Sequence, residues 1–260
     1  SSGCVYIGEI PTVLIENNED LQRLLSWADK VARLKVRANA ETVKDLQTAM
    51  NFGAQGVGLA RTEHMFFGQD RILEVRRLIL ADKETEMKAA LKNLLEFQEE
   101  DFYQMYKTVE DKPLIVRLLD PPMHEFLPKE PQEIKLLAEK LSKSPEKLAH
   151  QIVSLQESNP MLGHRGCRLG ITQPNIYKMQ TEAIFRSAIK LHQEGIKIKP
   201  EIMIPLIADE KELEFVKSYL TQHIQYIFRE HKQEPFPYEI GTMIELPRAC
   251  LTADKLAQEA

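Results

Sequence analysis

The sequence predicts an α/β fold on a parallel sheet covered on both faces. Three observations lead there. Leu34 to Ala60 reads strand, helix, strand within about thirty residues, the spacing of a βαβ unit. The later strand candidates are short, nearly unbroken apolar runs, as a sheet buried on both faces requires. Helical and extended patterns then alternate along the chain and give six strand candidates. Six units exceed a minimal doubly wound domain and fall two short of a (β/α)8 TIM-type barrel. The expectation is therefore about six of eight barrel strands, with helical insertions.

The elements follow in order. Val5 to Pro11 alternates like a short strand stopped by proline and reads as the tail of something preceding. Leu21, Leu24, Leu25, Ala28, Val31 and Ala32 share one helix face, with Asn17, Asn18 and Asp20 as cap candidates and Trp27 as a packing residue. Leu34–Ala40 is the first strand, Thr42–Asn51 a helix stopped by Gly53, and Gly56–Ala60 the second strand. Helical stretches at 70–82 and 84–109 interrupt the alternation before a third strand, Leu114–Asp120, which Pro121 and Pro122 end. Two more helical segments, 131–141 and 144–156, precede Met161–Arg165, read as a short fourth strand. A helix from Pro174 to Glu194, a fifth strand at 200–207, a helix at 209–220, a sixth strand at 238–246 and a helix from Arg248 complete the pattern.

Composition narrows the function classes. With 43% hydrophobic and 28% charged residues the chain has an ordinary globular balance, and its net charge of −5 gives no reason to expect nucleic acid or an anionic membrane surface. No apolar run approaches the ~20 residues of a membrane span. Cys4, Cys167 and Cys250 form no Cys-x-x-Cys pair, which disfavours a disulfide framework or structural zinc and fits a reducing compartment. Cys167 lies between Arg165 and Arg168, which would activate a thiol, but a small buried side chain is the simpler reading. There is no Gly-x-x-x-x-Gly-Lys loop and no Gly-x-Gly-x-x-Gly after a strand, so a nucleotide site within the chain is disfavoured.

The chemistry concentrates at the ends of the apolar runs. Arg61, Arg117 and Arg165 each close one, and Glu245 sits near the end of another, Ile240 to Leu246. In a parallel α/β fold the C-terminal strand ends converge, and forked guanidinium donors match phosphate and carboxylate oxygens. Three such groups around one cavity would neutralise a phosphoryl group in transit. A single strand-end arginine more often pairs with a neighbouring acid. Glu245 reads equally as a Mg²⁺ ligand or as the partner of an arginine. Asp120 and Glu63, close in sequence to Arg117 and Arg61, are expected to orient those arginines rather than react. His64, His124 and His164 form no zinc or acyl-transfer pattern and read as hydrogen-bonding or surface residues.

Four segments carry a family resemblance: Gly58-Leu-Ala-Arg-Thr-Glu-His-Met-Phe-Phe67, Arg117-Leu-Leu-Asp-Pro-Pro-Met-His-Glu-Phe-Leu-Pro128, Gly163-His-Arg-Gly-Cys-Arg-Leu-Gly170 and Gly241-Thr-Met-Ile-Glu-Leu-Pro-Arg-Ala249. In this order they closely resemble the pyruvate, phosphate dikinase family, and they differ from phosphoenolpyruvate synthase and the sugar phosphotransferase system's enzyme I after the first arginine and around the second. The resemblance implies a (β/α)8 domain for phosphoenolpyruvate and pyruvate at 16–260, with residues 1–15 the tail of a phosphohistidine domain and a linker. It implies phosphoryl binding by Arg61, Arg117 and Arg165, and Mg²⁺ on Glu245 holding pyruvate's oxygens. It further implies a phosphohistidine domain as partner, a homodimer through the barrel, and a cytoplasmic setting, with a glycosome or plastid as alternatives. The phosphohistidine is expected before Ser1. The second metal carboxylate and the proton-donor cysteine are expected after Ala260, so no catalytic residue is assigned within the chain, and the chain alone is expected to be inactive in the full reaction. The competing readings are a barrel of phosphoenolpyruvate synthase or of the phosphotransferase system's enzyme I, and a non-catalytic fragment acting by association.

Overall fold

The structure is a computed structural model in which residues 3–5, 7–9 and 19–260 are described. The expected strand from Val5 to Pro11 and the cap candidates Asn17 and Asn18 fall wholly or partly outside these residues. The chain divides into a unit reaching to Val36 and a larger one, Arg37–Ala260. In the first, α1 (Glu19–Val31) forms where the periodicity places it, but none of its residues is buried, and Arg23 lies over the Trp27 ring at 5.5 Å.

The larger unit runs β1 (Ala38–Asn39), α2 (Val43–Asn51), β2 (Val57–Arg61), α3 (Gln69–Ile79), α4 (Glu84–Val109), β3 (Leu114–Arg117), α5 (Pro131–Leu141), α6 (Pro145–Leu155), α7 (Cys167–Thr172), α8 (Pro174–Gln193), β4 (Glu201–Ile204), α9 (Glu210–Glu230), β5 (Glu239–Thr242), α10 (Pro247–Leu251) and α11 (Ala253–Glu259). Short 3-10 turns at Thr62–Phe66 and Met123–Phe126 follow β2 and β3. Local chemistry sets the helix starts. The Thr42 hydroxyl accepts from Asp45 N at 3.1 Å. Pro131 and Pro145 open α5 and α6, where a missing N–H loses no bond. Asp209 and Glu212 form a reciprocal capping box on α9.

All five strands are parallel and lie in chain order, β1-β2-β3-β4-β5. With crossovers of one hand, that order puts the connecting helices on one face of the sheet. Accordingly α2, α4, α8 and α9 pack as successive neighbours. Between them and the sheet lies the main core, with Phe102, Tyr106, Ile184 and Phe185 against Val116, Ile202 and Ile204. A second, smaller core under α5 and α6 joins Leu80, Leu127, Leu137, Ala138, Leu148 and Ile152. The sheet also arcs. Arg37, beside β1, pairs with Glu201 of β4 at 2.7 Å, although about 14 Å would separate those strands in a flat sheet. The pair bridges the concave face.

One predicted strand is absent. Met161–Arg165 is a turn, and β3 pairs directly with β4 through Ile115↔Glu201, Val116↔Ile202 and Arg117↔Met203. Met161 and Leu162 are each 69% exposed and bury no strand face, while Gly166, at φ +56°, turns the chain into α7. The described residues therefore hold five strands rather than six, in an open sheet and not a closed barrel. No helix among them is long and apolar enough to cross a membrane.

Candidate functional site

The C-terminal strand ends carry the charged residues. Pairing of Arg61 with Arg117, Arg117 with Met203 and Met203 with Gly241 sets four residues in one row across β2 to β5. Partners in a parallel ladder share a face, so both arginines project from the concave side, on which Glu201 also lies. Arg165 arrives by a different route. Gly166 N donates to Asp120 O at 2.9 Å and Cys167 N to Pro205 O at 3.1 Å, which seats the turn between the ends of β3 and β4.

Each guanidinium meets an acid. Arg61 pairs with Glu41 at 2.6 Å. Arg117 pairs with Glu63 and, at 3.2 Å, with Asp120. Arg165 Nη2 lies 2.6 Å from the same Asp120 oxygen, and its Nε donates to the other at 3.3 Å. Asp120, 2% exposed, therefore joins the two central arginines. Burial depresses the Arg165 pKa, but the bond to Asp120 and the charges of Asp120, Glu245 and Glu125 outweigh it and leave the pKa above its ordinary value. Glu245 is thus within electrostatic reach of the cluster. Its Oε1 accepts from Leu206 N at 2.8 Å, and Leu206 holds a left-handed φ of +62° while 4% exposed.

The structure brings Arg117, Arg165, Asp120 and Glu63 together, sets Arg61 in the same row and places Glu245 at the rim. Two earlier expectations need amendment: Arg165 does not end a strand, and Glu63 orients Arg117 rather than the adjacent Arg61. The partner of Arg61 is Glu41, two residues after β1, where an acid at a strand end was a readable signal. The three histidines take peripheral contacts. His64 lies 3.9 Å from Glu41, His164 Nε2 is 2.6 Å from the Thr172 hydroxyl, and His124 Nδ1 is buried without a hydrogen-bond partner. Cys167 is fully buried; burial first, and then Glu212, push its thiol up to about 12, which removes it as a nucleophile despite Arg168.

Among the described residues no group of three or more His, Cys, Asp or Glu could hold a metal unaided. The cluster nevertheless fits a hard divalent cation that takes one protein carboxylate and completes its shell with ligand oxygens. Three guanidinium charges face Glu41, Glu63, Asp120, Glu125 and Glu245, an excess of two negative charges. A phosphorylated acid entering there needs further positive charge, and Glu245, exposed and held through one oxygen, is a carboxylate that could carry it.

A family model for the PEP-binding domain of PEP-utilising enzymes matches residues 15–260, where PEP is phosphoenolpyruvate. The chain belongs to that family. Within it, the chain is 47% identical over 261 residues to pyruvate, phosphate dikinase of Clostridium symbiosum, an alignment covering 100% of this chain and 30% of that protein. It is 46% identical over 260 residues to that of Giardia intestinalis, covering 100% and 29%, and 44% identical over 259 residues to that of Rickettsia prowazekii, covering 99% and 29%. The chain thus spans about three tenths of the length of the curated relatives it matches.

Proposed function

We propose that this chain supplies the phosphoenolpyruvate- and pyruvate-binding face of a pyruvate, phosphate dikinase, which converts ATP, pyruvate and phosphate into AMP, phosphoenolpyruvate and diphosphate. The observation that carries the reading is the Arg117–Asp120–Arg165 cluster at the strand ends, with Arg61 in the same row and Glu245 at its rim. Identity of 43–47% to eight dikinases along essentially the whole chain supports it. The sheet is assigned to the (β/α)8 barrel class, supported by its sequential parallel order and its arc.

In this reading the three arginines hold the phosphoryl oxygens. Glu63 and Asp120 keep Arg117 and Arg165 facing the ligand, so little reorganisation is needed when phosphoryl charge arrives. Mg²⁺, when bound, would add positive charge and anchor the carboxylate and enolate oxygens, with Glu245 as its ligand from this chain. No acid–base residue is assigned here: the one buried thiol stays protonated, and the proton donor and phosphohistidine are placed in other segments of the parent protein. That protein's setting is proposed as cytoplasmic, and its assembly as a homodimer.

Calorimetric titration with phosphoenolpyruvate and Mg²⁺ tests the reading. Saturable binding is expected, weakened at least about tenfold in Arg165→Ala, since bonds to a charged group contribute ~1.5–3 kcal/mol. Equal binding by both proteins, or none by the unaltered chain, would sink it.

A further inference from the structure

Asp120 is the joint between Arg117 and Arg165, and its own place is set from α8. The residue before it, Leu119, is 2% exposed and lies past the end of β3. Leu118 N still donates to Met203 O at 3.0 Å, but the Leu119 peptide groups turn away from the sheet ladder. Leu119 N donates to Gln180 Oε1 at 2.8 Å, and Leu119 O accepts from Tyr177 Oη at 2.9 Å. Gln180 and Tyr177 sit three positions apart on α8, and each is 0% exposed. Two polar side chains of a core helix face thus grip both polar groups of a single residue.

Burying a polar side chain is unfavourable unless it is hydrogen-bonded, and Phe and Leu could fill comparable volumes without that penalty. What these two residues add is a fixed position for the two peptides that flank Leu119. Neighbouring features accommodate them. A Cβ on Gly170 would lie 2.5 Å from the Tyr177 ring, and the Gly170 carbonyl accepts from Tyr219 Oη at 2.9 Å. Burial, with Cys167 next, holds the Tyr177 hydroxyl well above its ordinary pKa, so it remains an O–H donor.

We infer that Tyr177 and Gln180 form a bracket that fixes the two peptides flanking Leu119 and, through the Asp120 carboxylate, sets the spacing of the Arg117 and Arg165 guanidinium groups for a phosphorylated ligand. Both are positioning residues. The inference rests on the proposed ligand class and adds to it the reason the two arginines stand at a defined separation. Both side chains are 0% exposed and bond to Leu119, so the bracket's effect passes through Asp120.

The test is a double-mutant cycle on phosphoenolpyruvate affinity with Mg²⁺, using Tyr177→Phe, Gln180→Met, Asp120→Asn and the Tyr177→Phe/Asp120→Asn pair. Tyr177→Phe and Gln180→Met should each weaken binding about five- to tenfold, the scale of one lost hydrogen bond. Adding Tyr177→Phe to Asp120→Asn should weaken it no further. Equal losses in both backgrounds, or no loss in the first, would overturn the bracket. A ligand-independent arm separates it from the functional reading: Arg165 Nε–H, bonded to Asp120, should exchange with solvent at least about threefold faster in Tyr177→Phe, or in Gln180→Met if the first variant fails to fold. Unchanged exchange would refute the bracket. Faster exchange with no phosphoenolpyruvate binding by the unaltered chain would support it while removing the ligand reading.

Discussion

Replacing Gly166 by alanine strikes the point where the strand-end loops meet. Gly166 has φ +56° and ψ −134°, a conformation that residues with a Cβ rarely adopt. An added methyl would lie 2.6 Å from Leu206 Cβ, 3.2 Å from Asp120 Oδ1 and 3.3 Å from Pro205 O. Leu206 has no free rotation to offer, because the atom struck is attached to its own buried, left-handed backbone. Backbone strain contributes about 1–3 kcal/mol and overpacking a similar amount, so the substitution should cost about 4 kcal/mol. At about 2–4 °C per kcal/mol for a chain of this size, Tm should fall by about 8–16 °C. Gly53 provides the control. It has φ +86° with nothing within 4 Å of a Cβ, so Gly53→Ala carries the strain without the collision and should cost about 1–2 kcal/mol. Differential scanning calorimetry of both variants isolates the collision. Either escape route moves a site group: Leu206 carries the N–H that holds Glu245, and Asp120 holds two arginines. Ligand affinity should therefore fall along with Tm. A Gly166→Ala protein melting within about 2 °C of the unaltered chain, with equal affinity, would refute this reasoning.

Three further outcomes follow from the same contacts. Arg117→Ala strands Glu63, whose side chain is 7% exposed, and leaves Asp120 with Arg165 alone, and it should lower unfolding stability in urea by about 3–5 kcal/mol; a loss below about 1 kcal/mol would show that the buried acid finds water. The Glu182 carboxyl lies below its ordinary pKa because the His223 imidazole, 3.4 Å away, and the Arg186 guanidinium favour its charged form, against the opposing effect of burial. A depressed carboxylate stabilises the fold above its unfolded pKa and loses that contribution as pH falls through the folded value. Glu182→Gln should therefore lower Tm by about 2–4 °C at pH 7 and by progressively less as pH falls through the folded pKa, and a difference independent of pH would contradict the assignment. Gly163→Ala would place a methyl 1.1 Å from Glu157 Oε2, displacing a flexible carboxylate whose other oxygen accepts from His164 N at 2.8 Å. Because a side-chain tip can swing away, Tm should fall by less than about 4 °C, while phosphoenolpyruvate affinity drops as the Arg165 turn loosens.

Much of the fold was readable because hydrophobic period and punctuation agreed. Glu84–Val109 and Pro131–Leu141 appear with the boundaries the sequence suggested, the second opened by a proline. Met161–Arg165 misled because a short apolar pair before a charged residue imitates a strand end, whereas the turn depends on Gly166 and on bonds to Asp120 and Pro205, both distant in sequence. The helix after β4 runs ten residues past Leu220, since Ile224, Ile227 and Phe228 continue its buried face. At the site, residue types and approximate places were legible from strand ends alone. Their pairing was not. Which acid meets which arginine depends on sheet register and arc, so Glu63 reaches across to Arg117 while Arg61 takes Glu41. The roles of Tyr177 and Gln180 were hidden for the same reason, because both bond to the backbone of Leu119, some sixty residues away.

The central claim is that the arginine cluster and Glu245 act together on a phosphorylated acid with a divalent cation. Titrating phosphoenolpyruvate into the unaltered chain and into Glu245→Gln, each with and without Mg²⁺, tests it most directly. The account predicts that Mg²⁺ strengthens binding at least about tenfold in the unaltered chain and leaves Glu245→Gln unchanged, because the loss of one carboxylate removes the cation's hold on this chain. Equal Mg²⁺ enhancement in both proteins would contradict it.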